Sequence, residues 1–142
     1  MLRVRRRRRG TAIVERREGI LVTAGKNKVF LLPGGAAKRG ESRIEAAMRE
    51  LREETGLRPY CAKYLFRHVG KVHKSQRHGC FQDHHTVCLV GARGTPEPLH
   101  EIRHVGFYRP GAGVRISGVT REIIEKYYRH KKRSKAKSGK SA

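Results

Sequence analysis

Residues 42–55 have the pattern of an amphipathic helix, and that helix constrains everything around it. Ser42 and Glu45 form the S-x-x-E capping box, in which each side chain takes a free backbone N–H of the other. Ile44, Ala47, Met48, Leu51 and Thr55 recur at helical spacing and give one buried stripe. Gly56 stands where a helix C-terminal glycine belongs. The helix also concentrates the acid of the chain. Only 12 Asp and Glu stand against 34 Lys and Arg, for a net charge of +22. Five of those twelve (Glu41, Glu45, Glu50, Glu53 and Glu54) fall within fourteen residues, so a very basic chain has gathered its carboxylates in one place.

Glu50, Glu53 and Glu54 have the i, i+3, i+4 spacing that places side chains together on a helix. They lie about a third of a turn from the Ile44–Ala47–Leu51 stripe. Crowded carboxylates repel one another, and a divalent cation would neutralise them. Hard oxygen ligands suit Mg2+ or Mn2+. Arg49 adjoins the set and could pair with Glu41, steadying the loop before the helix. Read from the three glutamates alone, an exposed charged face laced by Glu–Arg pairs is the favoured account.

The wider spacing decides between them. Gly35, five residues, Glu41, seven residues, Arg49-Glu50-Leu51, one residue, Glu53-Glu54, one residue, Gly56-Leu57 resembles the Nudix box at every defined position. Seven of those positions demand one residue type each, and a chance match is below about one in ten million per starting point. Phe30-Leu31-Leu32-Pro33-Gly34-Gly35 is similar to the strand and turn that lead into the box, and the resemblance extends over residues 11–128. The resemblance implies an α/β/α sandwich with a mixed central sheet and a metal-dependent hydrolase. It implies that Glu50, Glu53 and Glu54 hold Mg2+ or Mn2+, with the Gly35 carbonyl as a further ligand. Glu41, Arg49 and Gly56 become structural residues of the box. The general base is Glu50 or Glu53, or an acid outside the box such as Glu101, with Glu97 and Asp83 as weaker candidates. Homodimers occur among relatives.

The order of elements fits an α/β class. Strands are expected at 11–15, 20–23, 29–32, 60–69, 86–90 and 105–108, with a second helix over 119–128. Pro33-Gly34-Gly35 should stop the third strand, and the polar run 70–79 reads as a loop. Residues 10–128 are expected to form one domain. Residues 1–9 and 129–142 read as basic ends, the second disordered; together they carry more than half of the net charge. Such ends attract polyanions, RNA among them, or simply remain solvated. Three cysteines without motif spacing suit a reducing cytoplasm. Neither a signal peptide nor a membrane span is expected.

His73, His78, Cys80, Asp83, His84 and His85 lie within thirteen residues, but their spacing matches no zinc pattern. Lys71, His73, Lys74, Arg77 and His78 could instead meet substrate phosphates. Tyr60, Tyr64, Phe81 and Phe107 could stack a base, although core positions are the commoner use. The function implied is cleavage of the diphosphate linkage in a nucleoside diphosphate joined to some group X. The alternatives are a more charged substrate (an RNA 5′ end, a dinucleoside polyphosphate or an inositol pyrophosphate) or a non-catalytic module that binds nucleotide or RNA. The intact glutamates favour an enzyme.

Overall fold

The computed structural model describes residues 3–77 and 79–140, the last four by backbone alone. Nine elements follow one another: β1 (Val4–Ile13), β2 (Glu15–Arg16), β3 (Gly19–Ala24), β4 (Gly34–Ala36), α1 (Arg43–Thr55), β5 (Arg58–Ser75), β6 (Gly79–Arg93), β7 (His104–Tyr108) and α2 (Gly118–Lys140). They form a four-stranded sheet in the order β4-β1-β6-β5 and a three-stranded sheet in the order β2-β3-β7. The larger sheet is mixed, because β1 runs parallel to β6 while its other pairings are antiparallel. No helix among the described residues is long and apolar enough to cross a membrane.

Alternation along β1 divides the core. Ala12 and Val14 join Leu21, Cys88 and Val90 under the α1 residues Ala47 and Leu51. Ile13, one residue over, joins Val22, Val87 and the α2 residues Ile123, Ile124 and Tyr127. The sheets therefore lie between two helices. The α1 face approaches so closely that a Cβ on Gly10 would collide with the Arg43 carbonyl.

Several expectations change. Residues 4–9, read as part of a basic end outside the domain, are the first half of β1 and pair with β6 from Val4↔Cys80 to Arg9↔His85. The strand can hold them because β6 supplies an unbroken parallel ladder along their whole length, and Arg7 finds Asp83 across the register. Residues 129–140 continue α2 instead of forming a disordered tail; they contain strong helix formers and no proline, and Lys131 anchors to Glu15 at 3.0 Å. Residues 70–75 and 79, read as part of a loop, instead lie in the strands of a long β5–β6 hairpin whose register shifts three times, last between Val69 and Val72. Residues 29–32 make only isolated bridges, Thr23↔Leu31 and Phe30↔Ile116. Of the expected stop Pro33-Gly34-Gly35, the two glycines instead open β4 and pair with β1; Gly34 lies so near the Gly10 carbonyl that a side chain there would clash.

Candidate active site

The helix cap forms as a reciprocal pair. Ser42 Oγ accepts from the Glu45 N–H and Glu45 Oε1 accepts from the Ser42 N–H, each at 3.1 Å. Gly56 closes the other end at φ 74°, in the left-handed region. Between these caps the three box glutamates occupy different environments. Glu53 is exposed, Glu50 is partly covered and Glu54 is buried. Glu54 Oε1 accepts the Gly34 N–H at 3.0 Å. Burial pushes its pKa up to about 8 against that hydrogen bond, and the charges of Glu50 and Glu101 raise it further. Gly35 packs on Glu50 so tightly that a Cβ would sit 2.6 Å from the carboxylate.

Arg49 ties the group to the preceding loop. Its Nε and Nη2 donate to the two Glu41 oxygens at 2.7 and 3.0 Å, and Nη1 donates to Glu50 at 3.0 Å and Glu53 at 3.1 Å. A further bond reaches the Ala36 carbonyl. The Arg49 fork, helped by the Lys38 N–H, holds Glu41 at about 2.

Glu101 arrives from the loop before β7. With Glu54, Gly34 and Arg9 it lines a cavity of about 540 Å3. Three carboxylates from two separate elements thus share one electrostatic neighbourhood, and the chemistry of that donor set fits a hard divalent cation. Among the described residues no three His, Cys, Asp or Glu side chains are yet drawn to a single point. Arg49 spreads Glu50 and Glu53 toward Glu41, while Glu54 turns to Gly34. Glu97 is exposed and contributes its backbone N–H to the Thr55 carbonyl.

A second cavity, about 310 Å3, joins the first through shared walls at Arg9, Leu31, Leu32 and Gly34. Asp83 lies here and is gripped by Arg7 at 2.6 and 3.0 Å. His85 Nδ1 meets Thr11 Oγ1 at 2.8 Å, and burial, with the charge of Arg9, lowers its pKa to about 4. Ser117 and Thr120, at the start of α2, complete the polar side. Lys71, His73, Lys74 and Arg77 lie toward the end of the hairpin and line neither cavity. His73 stacks on Phe81 at 5.1 Å, and Phe81 in turn lies 4.0 Å beneath Arg7. His78 falls outside the described residues. The remaining members of the histidine-rich run divide by parity, with Cys80 and His84 on one face of β6 and Asp83 and His85 on the other. Phe107 packs against the core beneath α1, while Tyr60 and Tyr64 are exposed.

Arg7, Arg9 and Thr11 were missed as cavity residues because the arginine run reads as bulk charge. The available signal was their alternation, every second residue leading into the buried Ile13 of the same strand. The NUDIX domain family matches residues 4–123, a span that includes the arginine strand. The chain belongs to the Nudix family. A putative Nudix hydrolase from Chromobacterium violaceum is 36% identical, with a TM-score of 0.74 over 97% of this chain and 92% of that one. The MutT Nudix hydrolase of Burkholderia pseudomallei shares the fold at 21% identity and TM-score 0.64, covering 85% and 97%. The MutT protein of Bacillus halodurans does so at 16% and 0.69, covering 84% and 80%. No curated protein sequence matches at comparable significance. The protein is a Nudix hydrolase with the mixed α/β fold of its family, whose members generally depend on divalent metals.

Proposed function

We propose that this Nudix hydrolase cleaves the diphosphate linkage of a nucleoside diphosphate joined to a further group X, with Mg2+ or Mn2+ held by Glu50, Glu53, Glu54 and the Gly35 carbonyl. The observation that carries this reading is the buried Glu54, set beside Glu50 and facing Glu101, at the wall of a cavity that opens into a second, mixed polar and apolar one. A bound divalent ion offsets charge on the phosphate oxygens and acidifies water. The residues supply the rest. The Gly34 N–H holds Glu54 in place, and Arg49 sets the positions of Glu50 and Glu53. Glu101 makes no side-chain hydrogen bond among the described residues and lines the same cavity as Glu54 from outside α1, so it is the carboxylate we assign to take a proton from the attacking water. Arg9, at the junction of both cavities, meets the anhydride oxygens. The second cavity receives X or the nucleoside, with Thr11, His85 and Ser117 as neutral hydrogen-bonding groups.

A second reading takes a more anionic substrate (an RNA 5′ end, a dinucleoside polyphosphate or an inositol pyrophosphate), and it is favoured by the two arginines in the cavity walls. A screen over nucleoside diphosphate conjugates and these polyanions, with Mg2+ and Mn2+ and the cleavage products resolved by chromatography, decides between them. Turnover of the conjugates that collapses in Glu54→Gln supports the first reading. Activity confined to the polyanions supports the second, and metal-dependent turnover fully retained in Glu54→Gln overturns the ligand set.

A further inference from the structure

The opposite face of the four-stranded sheet carries charge that catalysis leaves unused. Cross-strand partners share a face. Ala12, Cys88 and Val90 pack under α1, so even-numbered positions of β1 and β6 lie on that side. Farther along, the same face continues beyond the helix as Arg6 and Arg8 of β1 and His84 of β6. Arg67 and Val69 of β5 pair with Thr86 and His84 and extend it. The cavities lie on the other side, walled by odd-numbered Arg7, Arg9, Asp83 and His85.

Four arginines converge on His84. Loss of hydration lowers its pKa, and the charges of Arg6, Arg67, Arg43 and Arg8 lower it further. None of those four guanidiniums makes an ion pair or a hydrogen bond among the described residues, although the paired residues Arg7 and Arg49 show that the chain forms such bonds where it has acids to spare. His84 Nε2 is buried and likewise finds no partner among the described residues. Val69 and Val72 remain 48% exposed beside them.

We infer that this face is a second, non-catalytic surface that binds the phosphate backbone of single-stranded nucleic acid. The cations around His84 are all arginine, whose planar fork takes a phosphate through two hydrogen bonds and can stack on a base, and Lys74, paired with Cys80, continues the same face. Arg6 and Arg8 stand roughly 7 Å apart along the strand, two residues at about 3.3 Å each, a spacing suited to successive phosphates of one extended chain. A second copy of a chain charged +22 would be repelled here. An anionic bilayer is served less well, since the valines are short and the chain contains no tryptophan. The surface is independent of what the catalytic cavities cleave.

The test is fluorescence anisotropy with a labelled 5′-hydroxyl oligouridylate, which carries no anhydride and so is no substrate of the cleft. Arg6→Gln/Arg8→Gln/Arg67→Gln weakens binding about tenfold or more and flattens the slope of log affinity against log salt by roughly 2. Lys132→Gln/Arg133→Gln/Lys135→Gln removes the same charge from the end of α2 and has a far smaller effect. Small-nucleotide turnover stays unchanged in both, since neither set lines the cavities. Should the arginine triple fail to fold, Arg8→Gln and Arg67→Gln alone each flatten the slope by about 0.7. Equal losses in the two triples, or no loss in the arginine variants, overturn the inference. So does oligonucleotide binding that survives in the arginine variants while binding to phosphatidylserine vesicles is lost.

Discussion

At the scale of single residues, function is set by where a side chain is buried more than by what it is. His85 is a neutral imidazole pressed between Thr11, Arg9 and His68. Its folded pKa of about 4 lies below the ordinary value of 6.5. The unfolded chain therefore takes the proton first, so the contribution of His85 is fully present above pH 6.5 and is lost as pH falls through 4. Melting curves of wild type and His85→Asn should diverge above pH 6.5 and converge toward pH 4, by on the order of 1–3 kcal/mol; parallel curves would show that the ring is solvated. Gly10 makes a different kind of point. A methyl group there strikes the Arg43 carbonyl, which belongs to helix backbone and cannot rotate away. Gly10→Ala should cost about 3 kcal/mol or more, read by denaturant melts, despite lying outside the box. Glu101→Gln should lower kcat by about 10²–10⁴ with little change in KM, which tests its role as the base.

At the scale of elements, β1 does two jobs that its composition hides. Its arginine half supplies five register pairs to β6 between Val4 and Arg8, and its Arg7 holds Asp83. Deletion of residues 1–8 should therefore lower the melting temperature sharply and impair turnover of every substrate. Deletion from Lys132 onward should leave turnover intact and shift the melt by only a few degrees, because residues 132–136 are exposed. Circular dichroism and steady-state assays on both truncations check this; equal tolerance of the two would mean that the arginine half adds nothing to the sheet.

At the scale of the whole molecule, the carboxylates are crowded into one site, which Arg9 and Arg49 share, while the other arginines are dispersed. The charges of Glu50 and Glu101 oppose ionisation of Glu54, and a divalent cation at the proposed site would relieve that repulsion. Mg2+ with nucleotide should raise the melting temperature, by an amount corresponding to about 2.7 kcal/mol at a hundredfold excess over Kd, and Glu54→Gln should remove the shift. An unchanged melt at millimolar Mg2+ in the presence of nucleotide would count against a metal at these residues.

The division between sequence and tertiary structure follows from the range of the interactions involved. Helix α1 was legible with both caps, because a capping box, a heptad-scale stripe and a terminal glycine are all local. The box was legible because metal and phosphate chemistry demand particular residues at particular spacings on that helix. Neither signal reaches across the chain. That Glu54 is buried against Gly34 while Glu53 faces solvent, that Glu101 comes within electrostatic range of Glu54, and that an arginine run becomes a sheet strand all depend on contacts between distant segments. Arg7 shows the reason most directly. Its partner Asp83 lies 76 residues away, and only the parallel register of β1 on β6 puts the two side by side. Local sequence therefore determined the helix and its chemistry, and the pairing of remote strands decided the cavity walls, because a β ladder is specified by both of its strands at once.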